Sequence, residues 1–338
     1  MSEIIKNAIQ RGAIKIYGCG GTGITIGSTF EHYRHHDEAG MATLDVSYID
    51  TSRSNLKPNM PEDKIFIVPG LDDKDGSGKN RGQNAKLIMK HAKQILQEQE
   101  PGYLNVFISS ASGGTGAVAA AILSNELLAA GRMVINITVG VADSGAEIEN
   151  TLDTLKSFEG LVRTHKKTVP VAYFENNKAT PMSVVDEKVT ELIVALAVMF
   201  SRQNEGLDTQ DMVNFLNVDV LTKFPAHVVG LESYVGELVE GEHKNTITVA
   251  SAVSNKDARG IDFVLPYTTF GILPAEVSKE ISGQAPLHLV TKAYPFNDIA
   301  ARLKKAIEDM VNAAKASTAA SNVLDDDVEL EGGFLSLR

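Results

Sequence analysis

The chain of 338 residues has no tryptophan and a single cysteine, Cys19. One cysteine excludes an intramolecular disulfide and a zinc site built from several thiolates, and it is typical of a reducing compartment. Apolar runs are short, and none approaches the roughly 18 residues that a membrane-spanning helix needs. The first residues also lack the apolar core of a signal peptide. These absences lead us to expect a cytosolic protein without a membrane partner.

Positive charge is also in deficit. The chain has 32 Lys and Arg against 43 Asp and Glu, which gives a formal net charge of −11. An acidic surface argues against a protein that coats nucleic acid, so we expect no direct nucleic-acid partner. Hydrophobic residues make up 43% of the chain, enough for a sizeable core. The length is typical of about two domains.

The order of predicted elements indicates an α/β fold. Strand and helix patterns alternate as far as residue 176, which predicts a Rossmann-like parallel sheet with helices on both faces. A long helix over 183–203 is apolar almost all round from Leu192 to Phe200, which predicts a buried central helix. Shorter segments beyond it predict a smaller mixed-sheet domain, and 297–317 predicts a C-terminal helix before an acidic tail.

A first glycine-rich segment, GCGGTGITIG at 18–27, follows a predicted strand, and we expect a helix to begin near residue 23. Its glycines at 18, 20 and 23 fit G-x-G-x-x-G. Glycine permits positive φ angles and close backbone approach, and a helix N-terminus offers N–H donors to phosphate. In a dinucleotide fold an acid further on would bind ribose, for which three candidates exist: Asp37, Asp45 and Asp50. A tight turn that binds nothing is the other alternative.

A second segment, SSASGGTGAVAAAI at 109–122, also follows a predicted strand. It offers hydroxyls and glycine amides that can converge on one anion. Two such segments after neighbouring strands favour a triphosphate held from both sides. A Ser/Gly loop that only packs a helix against the sheet remains possible.

A third glycine-rich stretch, GSGKNRG at 76–82, does not fit a P-loop. Asp73 stands where the first glycine belongs, and Asn80 stands where Ser or Thr would bind magnesium. We interpret it as a loop that reports on the terminal phosphate.

The stretch SGGTGAV at 112–118 resembles the GGGTG signature, followed by Ser or Thr and Gly, of the tubulin/FtsZ superfamily. The core 113–116 is intact, whereas Ser112, Ala117 and Val118 depart from the pattern. The opening segment, with a cysteine between glycines, is similar to the first phosphate loop of tubulins. Element order agrees over most of the chain with the bacteriophage tubulin-like proteins, the PhuZ/TubZ class.

The resemblance implies a guanine nucleotide, GTP or GDP, together with Mg²⁺, and it assigns no residue as a direct metal ligand. Residues near the α- and β-phosphates would be Gly18, Cys19, Gly20, Gly21 and Gly23. Residues near the β- and γ-phosphates would be Ser110, Ser112, Gly113, Gly114, Thr115 and Gly116. Residues over the γ-phosphate would be Gly78, Lys79 and Asn80.

The resemblance also implies contacts further along the same edge. Acids that would approach magnesium, phosphate or ribose are Asp50, Asp143 and Glu147. Asn176 and Asn177 would face the guanine, although a turn before Pro181 explains them equally well.

Two acids follow the predicted central helix in NEGLDTQDMVNF at 204–215: Asp208 and Asp211. In the family the equivalent loop has two acids at this spacing, which enter the nucleotide site of the next subunit, whereas Gly206 replaces the usual asparagine here. Carboxylates can orient and polarise a water in line with the γ-phosphorus. The resemblance therefore implies a GTPase whose active site is completed by head-to-tail polymerisation. Alternatively, Asp208 caps the next helix and Asp211 lies in its first turn.

The resemblance implies four parts: a GTP-binding domain at 1–180, a core helix at 181–205, an activation domain at 206–296, and a C-terminal helix and polymerisation tail at 297–338. In the phage class the tail, here 323–338, docks on the neighbouring subunit, although a solvated tail is the default for such an acidic run. The expected setting is the cytoplasm of the host bacterium, where the filament would position phage DNA.

Two rival functions are weaker. An NAD-dependent oxidoreductase leaves 110–116 and 208–211 unexplained. A nucleotide switch that does not polymerise leaves the acid pair unexplained.

Overall fold

The computed structural model describes residues 12–34, 40–70, 81–241, 243–257 and 259–320. Two predicted features lie outside these ranges, namely the loop with Gly78, Lys79 and Asn80 and the tail at 323–338. Within the described ranges, no helix has the length and apolarity needed to cross a bilayer.

Ten strands in the described part form one sheet. Their bounds are β1 Ala13–Cys19, β2 Thr43–Asp50, β3 Ile65–Ile67, β4 Leu104–Ser110, β5 Met133–Val141, β6 Val169–Asn176, β7 Val228–Val235, β8 Thr246–Val253, β9 Tyr267–Ile272 and β10 Leu287–Ala293. The spatial order is β3-β2-β1-β4-β5-β6-β7-β10-β8-β9.

The first described helix begins directly after β1, and eight more follow in the described part of the chain. Their bounds are α1 Gly20–Gly27, α2 Arg81–Glu98, α3 Gly116–Ala129, α4 Gly145–His165, α5 Met182–Met199, α6 Thr209–Leu216, α7 Val218–Leu221, α8 Ala275–Ser282 and α9 Phe296–Ala320. Two 3₁₀ segments, Ser28–Arg34 and Glu62–Lys64, add seven and three residues.

The sheet is covered on both faces because successive residues of its strands point to opposite sides. On β1, Ile16 belongs to a core that also contains Leu192 of α5, whereas Tyr17 belongs to a second core with Leu123 of α3 and Phe158 of α4. Parallel strands buried on both faces require continuous apolar runs, which the sequence supplies. The predicted α/β fold is confirmed.

The parallel part of the sheet contains a point where the strand order reverses. Strands β3, β2, β1, β4, β5, β6 and β7 are all parallel in the described registers. The chain moves outward from β1 to β2 and β3 and then returns to β4 on the other side of β1. In open α/β sheets, ligands bind at the carboxyl ends of the strands at such a point.

The last four strands continue the same sheet. Three residue pairs join β6 to β7, and β10 then pairs antiparallel with both β7 and β8. The smaller sheet that we predicted is therefore hydrogen-bonded to the larger one. The division of the chain into four parts remains a prediction.

The central helix α5 runs from the carboxyl ends of the parallel strands to their amino ends. It begins after the carboxyl end of β6 and spans 18 residues, about 27 Å of helix. Two residues beyond its end, the carbonyl oxygen of Ser201 accepts a 3.0 Å hydrogen bond from the N–H of Gly12, at the amino end of β1. The chain that leaves α5 therefore lies at the amino ends of the strands, whereas the glycine-rich segments lie at their carboxyl ends.

A buried histidine lies in the last strands of the sheet. On β10, His288 Nδ1 lies 2.7 Å from Ser251 Oγ, and Nε2 lies 2.9 Å from the carbonyl oxygen of Gly236. Because a carbonyl can only accept, Nε2 carries the proton and Nδ1 accepts from the serine hydroxyl. Burial lowers the pKa of His288 to about 4.

We expect acid to remove the stabilisation that neutral His288 provides. Its folded pKa lies below the usual value of about 6.5 for an unfolded chain, so the stabilisation is complete above pH 6.5 and is lost as the pH falls towards 4. The free energy of unfolding of the wild type relative to H288L should fall by about 2 kcal/mol between pH 7.5 and 5. Urea unfolding at both pH values measures this difference. A difference that does not change with pH would contradict the assignment.

Candidate functional site

The two glycine-rich segments meet between the carboxyl ends of β1 and β4. Gly20 has φ +67°, and a Cβ atom built on it would lie 2.9 Å from the amide nitrogen of Gly116. A Cβ atom on Gly116 would lie 2.3 Å from the carbonyl oxygen of Cys19. Only glycine permits this contact, which brings the N-termini of α1 and α3 together at the point where the strand order reverses.

The first segment differs from our prediction in its secondary structure. Helix α1 begins at Gly20 instead of near residue 23, so the segment forms the first turns of a helix directly after the strand. Cys19, at the junction, is fully buried, and burial together with the charge of Asp50 raises the pKa of its thiol. The thiol is therefore uncharged at neutral pH.

Two of the predicted glycines are explained by packing alone. A Cβ atom on Gly23 would lie 2.1 Å from the carbonyl oxygen of Ile108, and one on Gly18 would lie 2.5 Å from the carbonyl oxygen of Gly23. Both therefore allow α1 to approach the strands closely. For these two positions, a tight turn requires glycine whether or not a ligand binds.

The second segment has room where a phosphate would lie. A Cβ atom on Gly113 would have the side chain of Ser110 as its nearest neighbour, with Cβ at 3.4 Å, so packing does not demand glycine there. The hydroxyls of Ser110 and Ser112 lie 3.1 Å apart. Glycine at 113 is thus unexplained by the protein's own contacts, which fits a ligand that approaches the backbone.

The carboxyl end of β2 contributes a third set of groups. Asp50 is buried, and its carboxylate accepts from the N–H of Thr51 at 2.7 Å and from Asn55 Nδ2 at 2.9 Å. Burial raises the pKa of Asp50, and these hydrogen bonds oppose that rise. The side chain of Asn55 also lies against Gly21, whose built Cβ would be 3.0 Å from Asn55 Oδ1.

Thr51 links β2 to the second glycine segment, a role that our sequence analysis missed. Its hydroxyl lies 2.8 Å from the hydroxyl of Thr115, the residue before α3, and both groups are buried. The available signal was the polar stretch DTSRSN directly after a buried strand. Our sequence analysis named only Asp50 from this stretch, which also contains Thr51 and Asn55.

Two side chains of α4 hold the second segment in place, and both were also missed. Asn150 Nδ2 donates to the carbonyl oxygen of Ser112 at 3.1 Å. The hydroxyl of Thr154 lies 2.7 Å from the carbonyl oxygen of Ala111 and can donate to it. Their spacing of four residues places both on one face of α4.

The predicted acids after β5 stand at the start of α4, at the same edge of the sheet. Asp143 is exposed. Glu147 pairs with the N-cap residue Ser144: its N–H donates to Ser144 Oγ at 3.3 Å, and its carboxylate accepts from that hydroxyl at 2.9 Å. Glu147 therefore has a local role in starting the helix, which is independent of any ligand.

The two asparagines after β6 differ in their contacts. Asn177 Oδ1 accepts from the N–H groups of Ala179 and Thr180, both at 2.9 Å, which closes a turn before Pro181. This contact favours the structural explanation that we left open for Asn177. Asn176 Oδ1 is buried and has no hydrogen-bond partner among the described residues, so the protein's described contacts do not explain it.

The acid pair follows α5, at the end of the sheet where the amino ends of the parallel strands lie. The glycine-rich segments lie at the other end. Asp208 Oδ1 accepts from the N–H of Asp211 at 2.9 Å, and Asp211 Oδ2 accepts from the N–H of Asp208 at 3.0 Å. The two acids thus form a capping box at the start of α6, as the structural alternative predicts. Asp208 is nevertheless exposed, and Asp211 is partly exposed. The length of α5 separates them from the glycine segments of the same chain.

Comparison with known proteins identifies relatives over nearly the whole chain. The chain is 28% identical over 313 residues to a phage tubulin-like protein of Pseudomonas phage phiKZ, which covers 90% of this chain and 91% of the relative. A second phage tubulin-like protein, from Pseudomonas phage PhiPA3, is 26% identical over 60% of each chain. No protein-family model matches the chain.

Solved structures of phage tubulins have the same fold as this chain. A protofilament of TubZ from bacteriophage PhiKZ superimposes with a TM-score of 0.79 at 27% identity, which covers 96% of this chain and 97% of the other. The phage tubulin PhuZ in its GDP form has a TM-score of 0.78 over 90% of this chain and 92% of the other; at 16% identity it supports the fold alone. In sequence and in fold, this chain is similar to the phage tubulin-like proteins of the tubulin/FtsZ superfamily.

Proposed function

We propose that this protein binds GTP where α1 and α3 begin and hydrolyses it within head-to-tail filaments, in which each subunit contributes acids to its neighbour's nucleotide. The observation that carries the proposal is the placement of the two glycine segments and the acid pair at opposite edges of one sheet.

The glycine segments fit a polyphosphate. Helices α1 and α3 direct their N-terminal N–H groups to one place, where the helix dipoles also favour negative charge. Glycine at 113 permits close backbone approach, and the hydroxyls of Ser110 and Ser112 can donate to phosphate oxygens. The unpartnered Oδ1 of Asn176, two strands away from β4, suits the hydrogen-bond donors of a guanine ring.

Mg²⁺ would be held mainly by the nucleotide. Among the described residues, no group of three or more His, Cys, Asp or Glu side chains could hold a metal ion alone. Magnesium commonly retains several waters and binds through one or two carboxylates and substrate phosphates, and it would offset phosphate charge here. Asp50, the buried carboxylate at the carboxyl end of β2, is the side chain suited to orient such a water.

The acids would act on a neighbouring subunit. The helix α5 alone spans about 27 Å, which is too far for Asp208 or Asp211 to reach a nucleotide bound to the same chain. If the end of one subunit that carries the acid pair stacks on the end of the next that carries the glycine segments, the acids come close to the nucleotide of that neighbour. There the carboxylates would orient the attacking water, while backbone N–H groups stabilise the developing oxygen charge.

Relatives support assembly. TubZ from bacteriophage PhiKZ forms a protofilament, and we propose that this chain does the same with copies of itself. Docking of the tail at 323–338 on the next subunit, action in the cytoplasm of the host bacterium and positioning of phage DNA belong to the same proposal.

The variant G113A tests nucleotide binding at this site. The protein itself leaves room for a methyl group at this position, so we expect the melting temperature to change little. The affinity for GTP should nevertheless fall at least about tenfold. The methyl group would keep the phosphate away from the backbone, so a charge-assisted hydrogen bond would be lost. Titration with a fluorescent GTP analogue measures this loss. Unchanged affinity in G113A would contradict the assigned phosphate position.

A further inference from the structure

A partly buried arginine lies beside the second glycine segment. Arg81 is the first residue of α2, and its Nη1 donates to Thr154 Oγ1 at 2.7 Å. The Thr154 hydroxyl is in turn 2.7 Å from the carbonyl oxygen of Ala111, inside the segment 110–116. Two successive hydrogen bonds therefore connect the guanidinium to the backbone of this segment.

Among the described residues, the charge of Arg81 has no close anionic partner. None of the ion pairs found among the described residues involves it. Asp153 acts on it only from a distance and pairs with Lys156 at 2.9 Å. Burial lowers the pKa of Arg81, which remains charged because the unperturbed value is so high. A desolvated guanidinium without a carboxylate is unfavourable unless an anion binds there.

A second residue of α2 also has unsatisfied hydrogen bonds. Asn84 is fully buried one turn after Arg81, and neither polar atom of its side chain has a partner among the described residues. Asn84 is followed on the same buried face by Ile88, which packs in one core with Leu123 of α3. The start of α2 therefore lies beside α3, the helix whose N-terminus we assign to phosphate.

From these contacts we propose that Arg81 binds the terminal phosphate of the nucleoside triphosphate and distinguishes it from the diphosphate. This inference rests on the proposed function and adds the residue that recognises the third phosphate. Thr154 orients the guanidinium, and the remaining N–H groups of Arg81 donate to phosphate oxygens. Arginine suits this role because its planar group presents several donors to one anion.

The test compares the affinities for GDP and for a non-hydrolysable GTP analogue, at protein concentrations too low for assembly. For R81M we expect the affinity for the GTP analogue to fall about tenfold to a hundredfold and the affinity for GDP to change less than about twofold. R81K keeps a positive charge without the planar fork and should give an intermediate loss for the GTP analogue. K86M, at an exposed position on the same helix, is the matched control and should bind both nucleotides normally.

The ratio of the two affinities separates recognition from structural damage. If Arg81 only supported the loop, R81M would weaken both nucleotides equally, and such a result would overturn the inference. A ratio equal to that of the wild type would overturn it as well. Wild-type protein that binds neither nucleotide would contradict the proposed function itself, whereas normal wild-type binding with an unaltered ratio in R81M would contradict only this inference.

Discussion

Replacing Asp211 with asparagine is expected to lower the rate of GTP hydrolysis by about a hundredfold or more while GTP binding is retained. Our account assigns to this carboxylate the orientation of the attacking water on the neighbouring subunit, and an amide carries no negative charge with which to polarise it. Asparagine is preferred over alanine because its side-chain oxygen can still accept from the N–H of Asp208. The capping box is thereby kept, so a loss of stability does not obscure the result. Phosphate release and GTP binding measured on the same preparation test this expectation.

The matched control is E276Q. Glu276 lies in the first turn of α8, which has eight residues like α6, and it is exposed. Removing its charge should change hydrolysis less than about twofold, because the proposed mechanism gives this side chain no role. The double variant D208N/D211N should be no more active than D211N. Full activity in that double variant would exclude the acid pair from the reaction.

Replacing Gly116 with alanine is expected to lower the affinity for GTP by about a hundredfold, the loss expected when one or two charge-assisted hydrogen bonds to phosphate are broken. The new Cβ atom would lie 2.3 Å from the carbonyl oxygen of Cys19, so α1 and α3 would have to move apart. Both helix N-termini would then no longer point to one phosphate group. Isothermal titration with GTP measures the loss directly.

Gly160, inside the C-terminal part of α4, provides the control for G116A. A Cβ atom built there has Arg163 Nη2 as its nearest neighbour at 3.8 Å, so G160A introduces no clash. In a helix interior it should stabilise the protein by up to about 1 kcal/mol and leave GTP affinity unaltered. A G116A variant that binds GTP as G160A does would show that the contact between the two segments is not needed for binding.

Element order and the two glycine segments could be predicted from sequence because both are local signals. Continuous apolar runs indicated parallel strands, and glycines directly after strands indicated close backbone approach. The start of α1 at Gly20 could not be predicted in this way. Glycine and threonine are poor helix formers, and only packing against β4, seen in the clash that a side chain at Gly23 would cause, stabilises the helix there.

Contacts between distant segments escaped the sequence analysis. The hydrogen bond between Thr51 and Thr115 joins residues 64 positions apart, and no local sequence pattern predicts it. Likewise, the continuation of the sheet from β6 to β7 crosses the whole of α5, α6 and α7. For the acid pair, residue type and spacing fitted both capping and catalysis, and the observed capping box does not exclude catalysis because the carboxylates remain accessible to solvent.

The rate of phosphate release per protomer, measured over a range of wild-type protein concentrations, tests the central claim most directly. If one subunit completes the active site of the next, the rate per protomer should be close to zero in dilute protein and should rise steeply once subunits associate. A rate per protomer that stays constant from monomer to filament would contradict the account.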